Sequence, residues 1–82
     1  MFTARQLAAL SVAYSGATGK SLAALGDTLF RDHQFFKRLN GGMDCTTARA
    51  AEASRWFMEN WPDDIPWPVG ITPAIAPEQA AE

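Results

Sequence analysis

One cysteine, Cys45, and one histidine, His33, are all that 82 residues provide of the softer metal ligands. An internal disulfide framework and a four-cysteine zinc site are therefore excluded. One His, one Cys and scattered carboxylates do not readily make a zinc ligand set either. No apolar run approaches the roughly 18–20 residues of a membrane span. The first ten residues place Arg5 and Gln6 among apolar neighbours, so no signal-peptide core is visible. No internal repeat and no useful stretch of strand-like alternation is present. The expectation is a cytoplasmic, globular, reduced protein with no membrane partner, no metal and no cofactor.

Hydrophobic residues reach 48% and charged residues 20%, a globular rather than disordered balance. A chain this short forms one domain and buries only about 60% of its unfolded surface, so its stability is marginal. The net charge of −2 hides a gradient. Residues 1–58 carry seven bases against four acids, a net +3, and the rest carry five acids and no base, a net −5. The N-terminal part suits a polyanionic partner and the tail does not. An ordinary solvated surface would show the same charges.

Thr3-Ala-Arg-Gln6 has the spacing of a capping box, with Phe2 placed as a staple. Leu7, Leu10 and Tyr14 follow at helical spacing, and Ser15-Gly16 and Gly19 end this helix. Ser21 caps a second helix that carries Leu22, Leu25 and Leu29, and Gly26 is a point where it breaks or bends. Asp32 is placed as the cap of a third helix, with Gly41-Gly42 as a left-handed stop. Thr46 or Thr47 opens a fourth, alanine-rich helix that Trp61-Pro62 ends. From there to Pro73 the prolines preclude regular helix. Ile65, Trp67 and Ile71 are too hydrophobic for a linker, so this arm is expected to lie back on the helices.

Gly16-Ala-Thr-Gly-Lys-Ser21 ends like a phosphate-binding loop, but the first glycine of that signature is replaced by Tyr14 and no strand precedes it. An interhelical turn is the better reading. Cys45 with His33 would make a nucleophile only if adjacent and oriented by a third group, and nothing in the sequence indicates this. Asp63-Asp64 lies in a proline-rich turn where acids are usual. No enzyme activity is expected. Trp56, Phe57, Trp61 and Trp67 form an aromatic cluster that is either core or an anchor for a partner.

On the third helix Phe35, Phe36 and Leu39 share one face, and His33, Gln34, Lys37 and Arg38 the other. An apolar anchor under a ridge of hydrogen-bonding side chains suits a major groove, where Arg and Lys pair with guanine and Gln with adenine. It also suits a plain amphipathic surface helix. The stretch from Ser21 to Gly42, followed by Thr46-Thr47 and a helix ending in Trp56-Phe57, resembles small bacterial and phage-type helix-turn-helix proteins of the lambda-repressor-like class. The likeness covers about residues 3–60, and the ending Trp61-Pro-x-x-Ile-Pro-Trp-Pro resembles small alphaproteobacterial proteins of similar length. The resemblance implies a transcriptional regulator that binds double-stranded DNA, with residues 33–40 as its recognition helix. It places the recognition role on His33, Gln34, Lys37 and Arg38, and Lys20 and Arg31 complete the basic set assigned to DNA. The stretch Gly26–Arg31 departs from the pattern, making the connection between the two helices longer than the usual three to four residues.

The resulting expectation is an all-α fold of four to five short helices containing a helix-turn-helix, with helices placed at about 3–15, 21–31, 33–40 and 46–60. Residues 1–62 form the domain, 63–73 the proline-rich arm packed on it, and 74–82 a flexible tail. Leu7, Leu10, Leu22, Leu25, Phe36, Leu39, Ala53, Phe57 and Trp61 are the expected core. A single such domain offers few contacts, so a homodimer or a partner protein is expected to complete specificity, in association with the nucleoid. The alternative is a protein-interaction module on the same fold, binding a regulator, polymerase or a phage component.

Overall fold

The Thr3 hydroxyl accepts the Gln6 N–H at 3.1 Å, and the Gln6 side chain accepts the Thr3 N–H at 3.0 Å. This reciprocal cap starts α1, Ala4–Thr18. The computed structural model describes residues 1–68 and 71. Phe2, just before the cap, is buried as a staple requires. α1 runs three residues beyond the expected end. Gly16 lies within it on the solvent side, where a glycine costs only up to about 1 kcal/mol of helix propensity. The stop is Gly19, at φ 82°.

Ser21 caps α2, Leu22–Phe30, by accepting the Ala24 N–H. Gly26 neither breaks nor ends it. The missing side chain admits the backbone of the following turn, because a Cβ at Gly26 would collide with the Asp32 carbonyl oxygen. Arg31 closes α2 in the left-handed region at φ 54°, and the Asp32 N–H then donates to the Gly26 carbonyl at 3.3 Å. The connection to α3, Phe35–Asn40, is therefore only Arg31–Gln34. This corrects the longer link expected from the sequence.

α3 begins two residues later than expected. The Asp32 carboxylate accepts the Gln34 N–H at 3.1 Å, and its carbonyl accepts the Phe35 N–H at 3.0 Å. Those bonds hold His33 and Gln34 in a turn. α3 ends with the Gly42 N–H on the Leu39 carbonyl and the Met43 N–H on the Arg38 carbonyl, with Gly42 at φ 103°. That crossed pair is a Schellman ending. α4, Thr47–Asn60, starts at the Thr46 cap and stops at Trp61, whose extended backbone precedes Pro62.

The four helices are the only regular elements among the described residues, with no strand. Leu7, Leu10, Leu25, Phe36, Ala53 and Phe57 are fully enclosed, with Leu39 and Trp61 at the edge of the same core. Leu22, at the first position of α2, packs against this core but is only half-buried, against expectation. Phe2 in its staple position, Phe35 on the expected apolar face of α3, Ala50 beside Ala53 on α4, and Ile71 of the expected arm are buried in the same core. Two buried serines stitch it. Ser54 accepts the Phe2 N–H and donates to the Ala50 carbonyl, and Ser11 accepts from Asn40 and donates to the Ala8 carbonyl.

Beyond α4, Trp67 stacks on Trp61 with ring centroids 4.5 Å apart and also meets Phe2. The Trp61 indole N–H donates to the Ile65 carbonyl at 2.8 Å. The remainder of the expected arm (69, 70, 72 and 73) and the whole expected tail (74–82) lie outside the described residues. No helix among the described residues is long and apolar enough to cross a membrane.

Candidate nucleic-acid interface

Phe35, Phe36 and Leu39 bury one face of α3, and this fixes what the opposite face presents. Lys37 and Arg38 are exposed on it. Arg31, His33 and Gln34 are exposed on the preceding link. The proposed recognition set is thus divided. His33 and Gln34 stand in the turn before α3, and only Lys37 and Arg38 ride on the helix. Lys20 sits apart, half-buried before α2, with its ammonium 3.4 Å from the Thr28 hydroxyl.

Arg38 is not a free base. Its guanidinium donates to the Asp32 carboxylate at 2.8 Å, and the same oxygen accepts from Arg49 at 3.2 Å. The Arg49 guanidinium in turn lies over the Phe30 and Phe35 rings, 4.9 and 5.4 Å from their centroids. Cation–π contact of this kind favours the charged, partly desolvated guanidinium. Asp32 therefore ties the α2–α3 link to both α3 and α4. The Arg38 hydrogen bond does most to hold the Asp32 carboxyl below the usual carboxylate range; desolvation pushes the other way, and the smaller contributions of Arg49 and the Gln34 amide lower it further.

Arg49 is the functional candidate that the sequence reading missed. It stands 17 residues from Asp32, so no helical spacing pairs them. The available hint was a cation one residue before Ala50 and four before Ala53, on the side of α4 that turns inward. A groove of about 350 Å³ runs along this contact, lined by Phe35, Arg38, Cys45, Thr46 and Arg49 among others. Partial burial and the neighbouring Asp44 push the Cys45 thiol up, which disfavours the thiolate that nucleophilic chemistry needs. Gly16–Ser21 holds the end of α1, a left-handed glycine and the α2 cap, with the Ser21 hydroxyl already bonded to the Ala24 amide. Among the described residues no group of three or more His, Cys, Asp or Glu side chains is placed to hold a metal ion.

No protein-family model matches the chain, and no characterised protein or solved structure is significantly similar to it.

Proposed function

We propose that this is a small DNA-binding transcriptional regulator in which α2, the link Arg31–Gln34 and α3 act as a helix-turn-helix on double-stranded DNA. The observation that carries the reading is the link itself. Four residues join two short helices, the length such a unit uses, and they project Arg31, His33 and Gln34 beside Lys37 and Arg38. The one acid among them, Asp32, has its charge offset by two arginines. Gln34 and Lys37 supply base-edge hydrogen bonding, and Arg31, Lys20 and Arg38 supply phosphate contacts. A second copy or a larger partner extends the contact to a useful length, in the cytoplasm at the nucleoid.

The protein-interaction alternative relies on the aromatic cluster. That cluster is largely engaged internally: Tyr14 meets Trp56, Phe57 and Trp61, and Trp61 carries Trp67. This supports the DNA reading.

Fluorescence anisotropy on labelled duplexes across a salt series tests it. Affinity should fall steeply with ionic strength. Lys37→Ala should leave stability within about 0.5 kcal/mol of the parent, cost about 1–3 kcal/mol of binding on the preferred duplex and relax discrimination at that base pair. Absence of binding to any duplex at low salt, together with one protein partner retained from a nuclease-treated extract, would move the protein to the interaction class.

A further inference from the structure

Two guanidiniums share one oxygen of Asp32, and their surroundings differ. The two side chains are similarly exposed, 46% for Arg38 and 40% for Arg49, but Arg38 belongs to the outer face of α3 and no ring lies beneath it among the described residues. Arg49 springs from α4, a separate helix, and its guanidinium is stacked on two rings. If Arg38 leaves, Asp32 still holds Arg49, the Gln34 amide and a neutralised carboxylate. If Arg49 leaves, it gives up the rings as well as the acid. From this asymmetry, and resting on the DNA reading above, we infer that Asp32 is a built-in stand-in for phosphate: Arg38 is parked on it in the free protein and exchanges it for a DNA phosphate, while Arg49 is the positioning residue that keeps Asp32 paired and so lets Arg38 go.

The energetics allow the exchange. A solvent-exposed ion pair adds little net stability, so releasing Arg38 is cheap. A guanidinium–phosphate contact is charge-assisted and frequently bidentate, so it replaces the carboxylate with a partner at least as strong. Arg49 does not touch the nucleic acid in this scheme. Its removal leaves Asp32 with one cation, and Arg38 is then retained by the acid.

The test combines four variants with a labelled mixed-sequence duplex and a salt series. Arg38→Ala should weaken binding on the order of tenfold, as loss of a hydrogen bond to a charged group does, and lower the salt slope by about one. Arg49→Gln should weaken binding in the same direction although Arg38 is intact, by at most about fivefold, since an exposed pair retains Arg38 no more firmly than that. Asp32→Asn should tighten binding, and Asp32→Asn with Arg49→Gln should bind as Asp32→Asn does. A structural role for Arg49 would instead weaken binding equally in both Asp32 backgrounds, and that result overturns the inference. A second measurement needs no DNA. Inorganic phosphate titrated into the labelled parent protein should shift the Arg38 guanidinium resonance and leave that of Arg49 in place. Movement of Arg49 first, or of neither, overturns the exchange whatever the duplex experiments show. A parent that binds no duplex but shifts Arg38 with phosphate would remove the DNA reading and keep the exchange.

Discussion

The two ends of this domain are held by different forces. Where α1 meets α4, closure is apolar and aromatic. Phe57 is fully enclosed and contacts Tyr14, Phe36, Trp56 and Trp61, and the only polar groups admitted there are hydrogen-bonded, as Ser54 is to Phe2 and Ala50. Where α2 meets α3, the buried Leu25 and the Phe30–Phe35 ring contact are joined by a close backbone fit at Gly26 and by partly exposed charge at Asp32, Arg38 and Arg49. The first end is insensitive to salt and pH because its contacts are aromatic and uncharged. The second is tuned by both, since screening acts on charges that solvent reaches.

Substitutions at the two ends should separate in size. Phe57→Ala empties the centre of the aromatic end and should cost about 3–5 kcal/mol, enough to unfold a small domain, seen as loss of the cooperative melt by circular dichroism. Full retention of that melt would show that the aromatic end is not what holds the fold. Gly26→Ala comes next. It gains helix propensity but drives a Cβ into the Asp32 backbone, so a net loss of about 1–3 kcal/mol is expected, as for an overpacked core. Urea denaturation measures it, and a stabilised variant would mean that the link yields easily. Trp67→Ala removes a half-buried stacking partner. An aromatic pair contributes about 0.5–1.5 kcal/mol beyond burial, so a loss of about 1–2 kcal/mol is expected in the same denaturation.

The smallest effect sharpens the ionic end. Asp32 has a folded pKa below its unfolded value. Its contribution is complete above the ordinary carboxylate pKa of about 4, and is lost as pH falls through the lower folded value. Asp32→Asn should therefore flatten the acid limb of the stability profile below about pH 4, with little change near neutrality beyond the loss of an exposed pair. A variant that keeps the parent's acid limb would assign that limb to other carboxylates.

How much of this was legible depends on the range of the interaction. The caps at Thr3, Ser21 and Thr46, the buried stripe of Leu7, Leu10 and Leu25, and the stop before Pro62 are contacts between near neighbours. A pattern of residues three or four apart contains them. The start of α3 was misplaced by two residues because Asp32 acts on the turn as well as the helix. Of the candidate site, residues 33, 34, 37 and 38 could be named from helical periodicity and are exposed, although 33 and 34 lie in the link, but their pairing could not be read that way. Arg49 and Asp32 meet only because α4 folds back across the link.

By itself the sequence determined four helices, the caps of three of them, and an apolar face under exposed polar and basic residues, since each follows from local hydrogen bonding and a 3.6-residue period. Tertiary structure decided the rest. It turned Gly26 from an expected break into the contact point of the link, because only a neighbouring backbone can use the space of a missing side chain. It also converted two of seven basic side chains into partners of one acid. Charge in a sequence is a count, whereas the charge available to a ligand is set by which groups the fold has already brought together.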